Sequence, residues 1–143
     1  DRVYAPVSDR PDGQEYDDPA RPGLVALEID TGEVAWQVDL PGDCPGEIPG
    51  CHAGLSAPAS SAGDRVLTGG LDGHLRIFDA ATGQVVYDRD LRQEFPGAPA
   101  EVRGGAVDAA GPVVAGGLVL VNSGYPQHDQ TPGNALFALR PRR

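Results

Sequence analysis

One segment of this chain occurs twice. Residues 23–40, GLVALEIDTGEVAWQVDL, and residues 74–91, HLRIFDAATGQVVYDRDL, share one plan. Each reads as an apolar strand, an acidic residue, a Thr-Gly turn, and an alternating strand ending in Asp-Leu. The pairs Thr31-Gly32 and Thr82-Gly83 stand 51 residues apart. Repetition at such a period marks an architecture whose units must stack to bury their apolar faces. The Gly of each pair supplies the positive φ that a tight hairpin needs. After the first turn, simple alternation predicts Val34, Trp36 and Val38 on one face of a half-buried strand.

A second unit precedes each repeat. RVYAPVSD (2–9), RVLTGGLDG (65–73) and LVLVNSGY (118–125) are short β-rich runs followed by polar turns. Small-residue stretches at 56–64 and 109–117 lie upstream of the latter two and suit the crowded innermost strand of a β-propeller. The strands then parse into blades. A first blade holds 2–7, 23–28 and 34–39; a complete second holds 56–62, 65–70, 75–79 and 84–90; a third holds 111–115, 118–123 and 135–139. The expected fold is all-β: a partial propeller of two to three blades of four-stranded antiparallel sheet, with blade parts at 1–40, 55–91 and 109–143. A propeller closes with at least four blades, so the remaining blades, or a partner, are expected to cover the exposed edges.

Composition agrees. Twenty Gly and 14 Pro punctuate short apolar runs, and no stretch nears the roughly 18 apolar residues of a membrane span. The formal charge is -10, and all 11 basic residues are Arg, which argues against nucleic-acid binding. Cys44 and Cys51 flank a Pro/Gly-rich loop, CPGEIPGC, that can fold back to form a disulfide, stabilising by about 2–3 kcal/mol. An oxidising compartment is implied; two buried thiols are the alternative. A zinc site lacks partners, since only His52 is adjacent. The chain carries no signal peptide, and an export signal is expected to have been removed or to lie outside it.

The repeat with Ala26-Leu27, Asp30-Thr31-Gly32 and Trp36 resembles that of pyrroloquinoline quinone (PQQ) dehydrogenases; the second copy departs from it, with Tyr87 at the Trp position. Longer stretches resemble the C-terminal part of polyvinyl alcohol dehydrogenases. These are the Cys44–Cys51 loop, Gly70-Leu71-Asp72-Gly73-His74-Leu75-Arg76, Arg103-Gly104-Gly105, and the run Gly111-Pro112-Val113-Val114-Ala115-Gly116-Gly117. Val121-Asn122-Ser123-Gly124-Tyr125 and Pro132-Gly133-Asn134-Ala135-Leu136 complete the ending. The resemblance implies a periplasmic or secreted quinoprotein. PQQ, with Ca²⁺ beside it, would oxidise secondary alcohol groups, including those of a polymer, and electrons would pass to a cytochrome c. The alternative is a propeller that kept the repeat, lost the cofactor and serves as a binding scaffold. Haem c is not attached here, because no Cys-x-x-Cys-His is present.

Long polar loops (41–55 and 91–108, with 8–22, 71–74 and 124–134) should gather at one end, where function concentrates. Arg103 there can hold a quinone carboxylate bidentately, with Gly104 and Gly105 allowing close backbone approach. The alternative is an Arg paired with Asp108 or Glu101 to pin the loop. Asp108 is a candidate general base or Ca²⁺ ligand. Asn122, Tyr125 and Asn134 offer hydrogen-bonding groups, although Asn beside Gly also serves turns. His52 and His74 read as loop-orienting donors, and Trp36 and Tyr87 as packing aromatics. The acidic loop, with Asp9, Asp12, Glu15, Asp17 and Asp18, lacks regular calcium-loop spacing and reads as a solvated turn.

Overall fold

The computed structural model describes residues 1–9, 20–40, 44, 48–93, 95, 97–99, 101–124 and 129–140. Ten strands form three antiparallel meanders, with no helix among the described residues. The first sheet holds β1 (Arg2–Val7), β2 (Gly23–Glu28) and β3 (Val34–Asp39). The second has four strands: β4 (Ser60–Ala62), β5 (Arg65–Gly69), β6 (His74–Asp79) and β7 (Val85–Asp90). The third holds β8 (Val113–Ala115), β9 (Leu118–Ser123) and β10 (Ala135–Leu139). This is the all-β, blade-by-blade arrangement that the repeat implies.

Two inner strands are shorter than expected, and prolines mark the difference. The stretch 56–59 does not pair; β4 begins at Ser60, two residues after Pro58, and the Ala57 carbonyl accepts the buried Thr68 hydroxyl at 3.2 Å. Likewise β8 begins at Val113 rather than at 111, because Pro112 has no N–H for the ladder. The Pro112 carbonyl accepts a hydrogen bond from the Ser60 hydroxyl, which ties the second and third inner strands together.

Both Thr-Gly turns close as expected, with Gly32 at φ 71° and Gly83 at φ 75°. Simple alternation beyond them fails. Ala26 pairs with Trp36 but Leu27 pairs with Val34, so Ala35 is an extra residue in a β-bulge. Val34 therefore does not share a face with Trp36 and Val38, and it stands 58% exposed. The second copy repeats the bulge: Ile77 pairs with Tyr87 and Phe78 with Val85.

Two apolar interfaces join the sheets. Leu24, Leu55, Val66 and Phe78 form the first, flanked by Tyr4, Trp36 and Val38. Ala57, Leu67, Leu75, Leu91, Val107, Val119 and Val121 form the second, flanked by Ile77, Phe137 and Leu139. The far side of the third sheet is uncovered: Leu136 is 73% exposed and Val113 is also exposed.

Candidate functional site

The described parts of the loops 41–55, 71–74, 91–108 and 124–134 meet at one end of the stack and are laced backbone to backbone. The Leu55 amide donates to Val7 (3.1 Å), Leu71 to Gly54 (2.9 Å), Val107 to Gly70 (3.0 Å), Ala106 to Thr131 (2.9 Å) and Thr131 to Gly50 (3.0 Å). Loops from all three sheets thus form one surface. A Cys44–Cys51 disulfide, with Cα atoms 6.0 Å apart, closes the first of them.

Arg103-Gly104-Gly105 runs through the middle of this surface. Its glycines answer to the chain's own packing. A Cβ on Gly104 would lie 2.7 Å from the Leu91 carbonyl carbon, and one on Gly105 would lie 2.7 Å from the Pro132 backbone. The buried Ser123 hydroxyl accepts from the Gly105 amide (3.0 Å) and donates to its carbonyl (2.9 Å). Asn134 frames the other side. Its side-chain oxygen accepts from the Arg103 amide (3.0 Å), and its NH₂ donates to the Glu101 carbonyl (2.9 Å).

What remains for a ligand is the Arg103 side chain. It is exposed at a polar pocket of about 250 Å³ lined also by Glu101, Pro132, Gly133 and Asn134. Among the described residues no carboxylate lies within ion-pair distance of it, so neither Glu101 nor Asp108 pins it.

The other sequence candidates scatter. Asp108 is half-buried directly after Val107, which is anchored to Gly70. Asn122 is exposed and pairs with Leu136; the neighbouring Ser123, on the opposite face of β9, is the residue that reaches Gly105. Tyr125 and most of the acidic loop (Asp12, Glu15, Asp17 and Asp18) lie outside the described residues. Among the described residues, no group of three His, Cys, Asp or Glu side chains could hold a metal ion. No described helix is long and apolar enough to cross a membrane.

Beside the pocket loops runs a charge network that strand patterns do not announce. The side chain of Arg76 is 6% exposed; it grips Asp72 at 2.5 and 3.1 Å and reaches Asp88 at 3.3 Å. His74 Nδ1 lies 2.6 Å from Asp88. Arg92 binds Asp90 through Nε and Nη2, at 2.9 Å each. Burial pushes the Asp90 carboxyl up, but hydrogen bonds from the Arg92 side chain and amide outweigh it and hold the group below the ordinary 3.8.

Residues 21–139 match the family profile PQQ_2, described as outer membrane protein assembly factor BamB. The chain belongs to this PQQ-repeat family. It is also 39% identical to a polyvinylalcohol dehydrogenase of Sphingopyxis sp. (strain 113P3) over 96% of its length, and 34% identical to one of Pseudomonas sp. over 73%. Of those relatives' own lengths it spans 23% and 17%, which fits further blades elsewhere in such a protein. The pocket accords with a quinone carrying carboxylates in one respect, the Arg103 guanidinium, which is unpaired among the described residues. In another it does not, since the Gly105 amide is already taken by Ser123.

Proposed function

We propose that this PQQ-repeat chain is part of an exported PQQ-dependent alcohol dehydrogenase, and that Arg103 is its contribution to holding the cofactor. The observation that carries the reading is the exposed Arg103, unpaired among the described residues, beside a pocket that its own backbone partners keep open. Its fork of donors matches a carboxylate bidentately. Bound PQQ supplies the two-electron oxidation of an alcohol to a carbonyl compound. In this proposal Asp108, which does not line the Arg103 pocket, is the carboxylate that takes the alcohol proton, or that lends one oxygen ligand to a Ca²⁺ ion whose other ligands come from elsewhere in the whole protein. The names of the relatives make a secondary-alcohol polymer the substrate class. A cytochrome c is the acceptor in this proposal, and the disulfide supports a periplasmic or secreted setting.

A second reading is favoured by one observation. The glycines of the Arg-Gly-Gly motif and both groups of Asn134 are occupied by the fold itself, so the motif has a structural reason to exist without any ligand. A binding scaffold, as the family description suggests, needs no more.

PQQ titration of the full-length protein, with Ca²⁺ present and cofactor binding followed by absorbance, separates the two. Arg103→Ala should leave the fold intact and weaken PQQ affinity about ten- to a hundredfold. Unchanged affinity would remove Arg103 from the cofactor site, whereas no PQQ binding and no PQQ-dependent dye reduction by the wild-type protein would favour the scaffold.

A further inference from the structure

Arg92 reserves one donor for the disulfide. Its Nε and Nη2 are committed to Asp90, and its Nη1 lies 3.1 Å from Cys51 Sγ. Gly73 makes room for this. Its φ is +79°, and a Cβ there would fall 2.7 Å from both Arg92 Cγ and Cδ. The Arg92 side chain is only 11% exposed, so water screens the contact little. Disulfide sulfur accepts hydrogen bonds weakly and a thiolate accepts them strongly, so the contact is worth more once the S–S bond is open. Among the described residues no such donor faces Cys44.

We propose that Cys44–Cys51 is a thiol–disulfide exchange site for a dithiol reductant, with Cys51 as the leaving thiolate. A thiolate of the reductant attacks Cys44 Sγ. The S–S bond breaks, and its electron pair leaves on Cys51 Sγ beneath Arg92 Nη1. The reductant's second thiol then displaces Cys44 and closes a new disulfide within the reductant. Two electrons pass to the cysteine pair, and the reductant's two protons go to the cysteines or to water.

Opening the loop acts on the neighbouring pocket. The carbonyls of Pro49 and Gly50, next to Cys51, hold the Thr131 hydroxyl (3.2 Å) and amide (3.0 Å). Thr131 in turn accepts the Ala106 amide (2.9 Å), and Gly133 backs onto Gly104. Reduction therefore loosens one wall of the Arg103 pocket. This regulatory role rests on the cofactor reading; the exchange chemistry does not.

The test uses the full-length protein. Brief exposure to glutathione, alkylation and peptide mass spectrometry should place glutathione on Cys44 and the alkyl group on Cys51. Glutathione on Cys51, or evenly on both, overturns the assignment, and this arm needs no variant. In equilibrium with dithiothreitol, Arg92→Gln should make the disulfide about tenfold harder to reduce, or about 30 mV for two electrons. An unchanged equilibrium removes Arg92 from the proposal. In the Cys44→Ser/Cys51→Ser variant, the amides of Ala106 and Thr131 should exchange hydrogen at least tenfold faster, and unchanged protection overturns the coupling. Absence of PQQ binding by the wild-type protein would defeat the cofactor reading and leave the exchange result standing.

Discussion

The two sheet-to-sheet interfaces are built from the same repeat and close differently. In the first, Trp36 donates its indole N–H to the Ala80 carbonyl at 3.1 Å, and Tyr4 and Arg2 converge on the same turn. A Cβ on Gly83 would sit 2.7 Å from the Trp36 ring, so the turn and the indole fit only as a pair. In the second, Tyr87 holds the position equivalent to Trp36 and is 37% exposed, beside a cleft of about 680 Å³ that reaches Leu139 and Arg140. That interface relies instead on aliphatic packing near the inner strands and on a Phe95–Phe137 ring contact at 4.6 Å. The difference teaches where a repeat tolerates drift. The strand positions that face a neighbour stay apolar, while the outer aromatic changes how tightly the rim is locked.

The largest test of this contrast lies in the core. Phe78, fully buried opposite Val66, and Leu139, half-buried opposite Val119, occupy equivalent places in the two interfaces. Phe78→Ala should cost about 3–5 kcal/mol in urea unfolding, and Leu139→Ala about half of that or less. Equal losses would mean that the open cleft does not weaken the second interface.

A smaller effect isolates the rim. Trp36→Phe removes the indole N–H from the half-buried Ala80 carbonyl, which keeps Arg2 and Tyr4 as donors, at a cost of about 0.5–1.5 kcal/mol. Tyr87→Phe should stay within about 0.5 kcal/mol, because among the described residues its hydroxyl makes no hydrogen bond. If Tyr87→Phe proves as costly as Trp36→Phe, the two rims are equivalent after all.

The blades were legible because the repeat, its Thr-Gly turns and its apolar spacing are all local. The bulge at Ala35 is not legible: a period of two carries no mark of an extra residue, so simple alternation puts Val34 on the wrong face. Likewise Pro58 and Pro112 delay pairing in strands whose small-residue composition suggested longer ones. At the site, Arg103-Gly104-Gly105 stands out as a motif, but its partners Ser123, Thr131 and Asn134 lie some 20 to 30 residues downstream, at the end of β9 and in the connection that follows it. Asn134 was visible as a polar group; that it spends both ends of its amide on the Arg103 loop depends on a fold-back that sequence spacing does not carry. The Arg92–Cys51 contact spans 41 residues and has no local signal at all.

The smallest effect concerns acid and the turn that receives Trp36. Asp79 Oδ1 accepts the Thr82 hydroxyl and amide, both at 3.0 Å, and the Ala81 amide at 3.1 Å. The Thr82 hydroxyl leads the causes that hold the Asp79 carboxyl below its ordinary 3.8. Because the folded value is the lower one, the contribution is complete above 3.8 and disappears as pH falls through the folded value. Glu28 stands at the equivalent place in the first repeat, but its carboxylate reaches Arg2 at 2.8 Å instead of capping its own turn. Acid should therefore free the 79–83 turn before the 28–32 turn. The carboxyl is only partly buried, so the change is modest and partly screened by salt. Trp36, the only Trp of this chain, reports it: indole emission from 1–143 should shift between about pH 4 and pH 2, and Asp79→Asn should remove the shift. A shift that survives Asp79→Asn would mean that acid acts elsewhere, with Asp90 beneath Arg92 as the next group to replace.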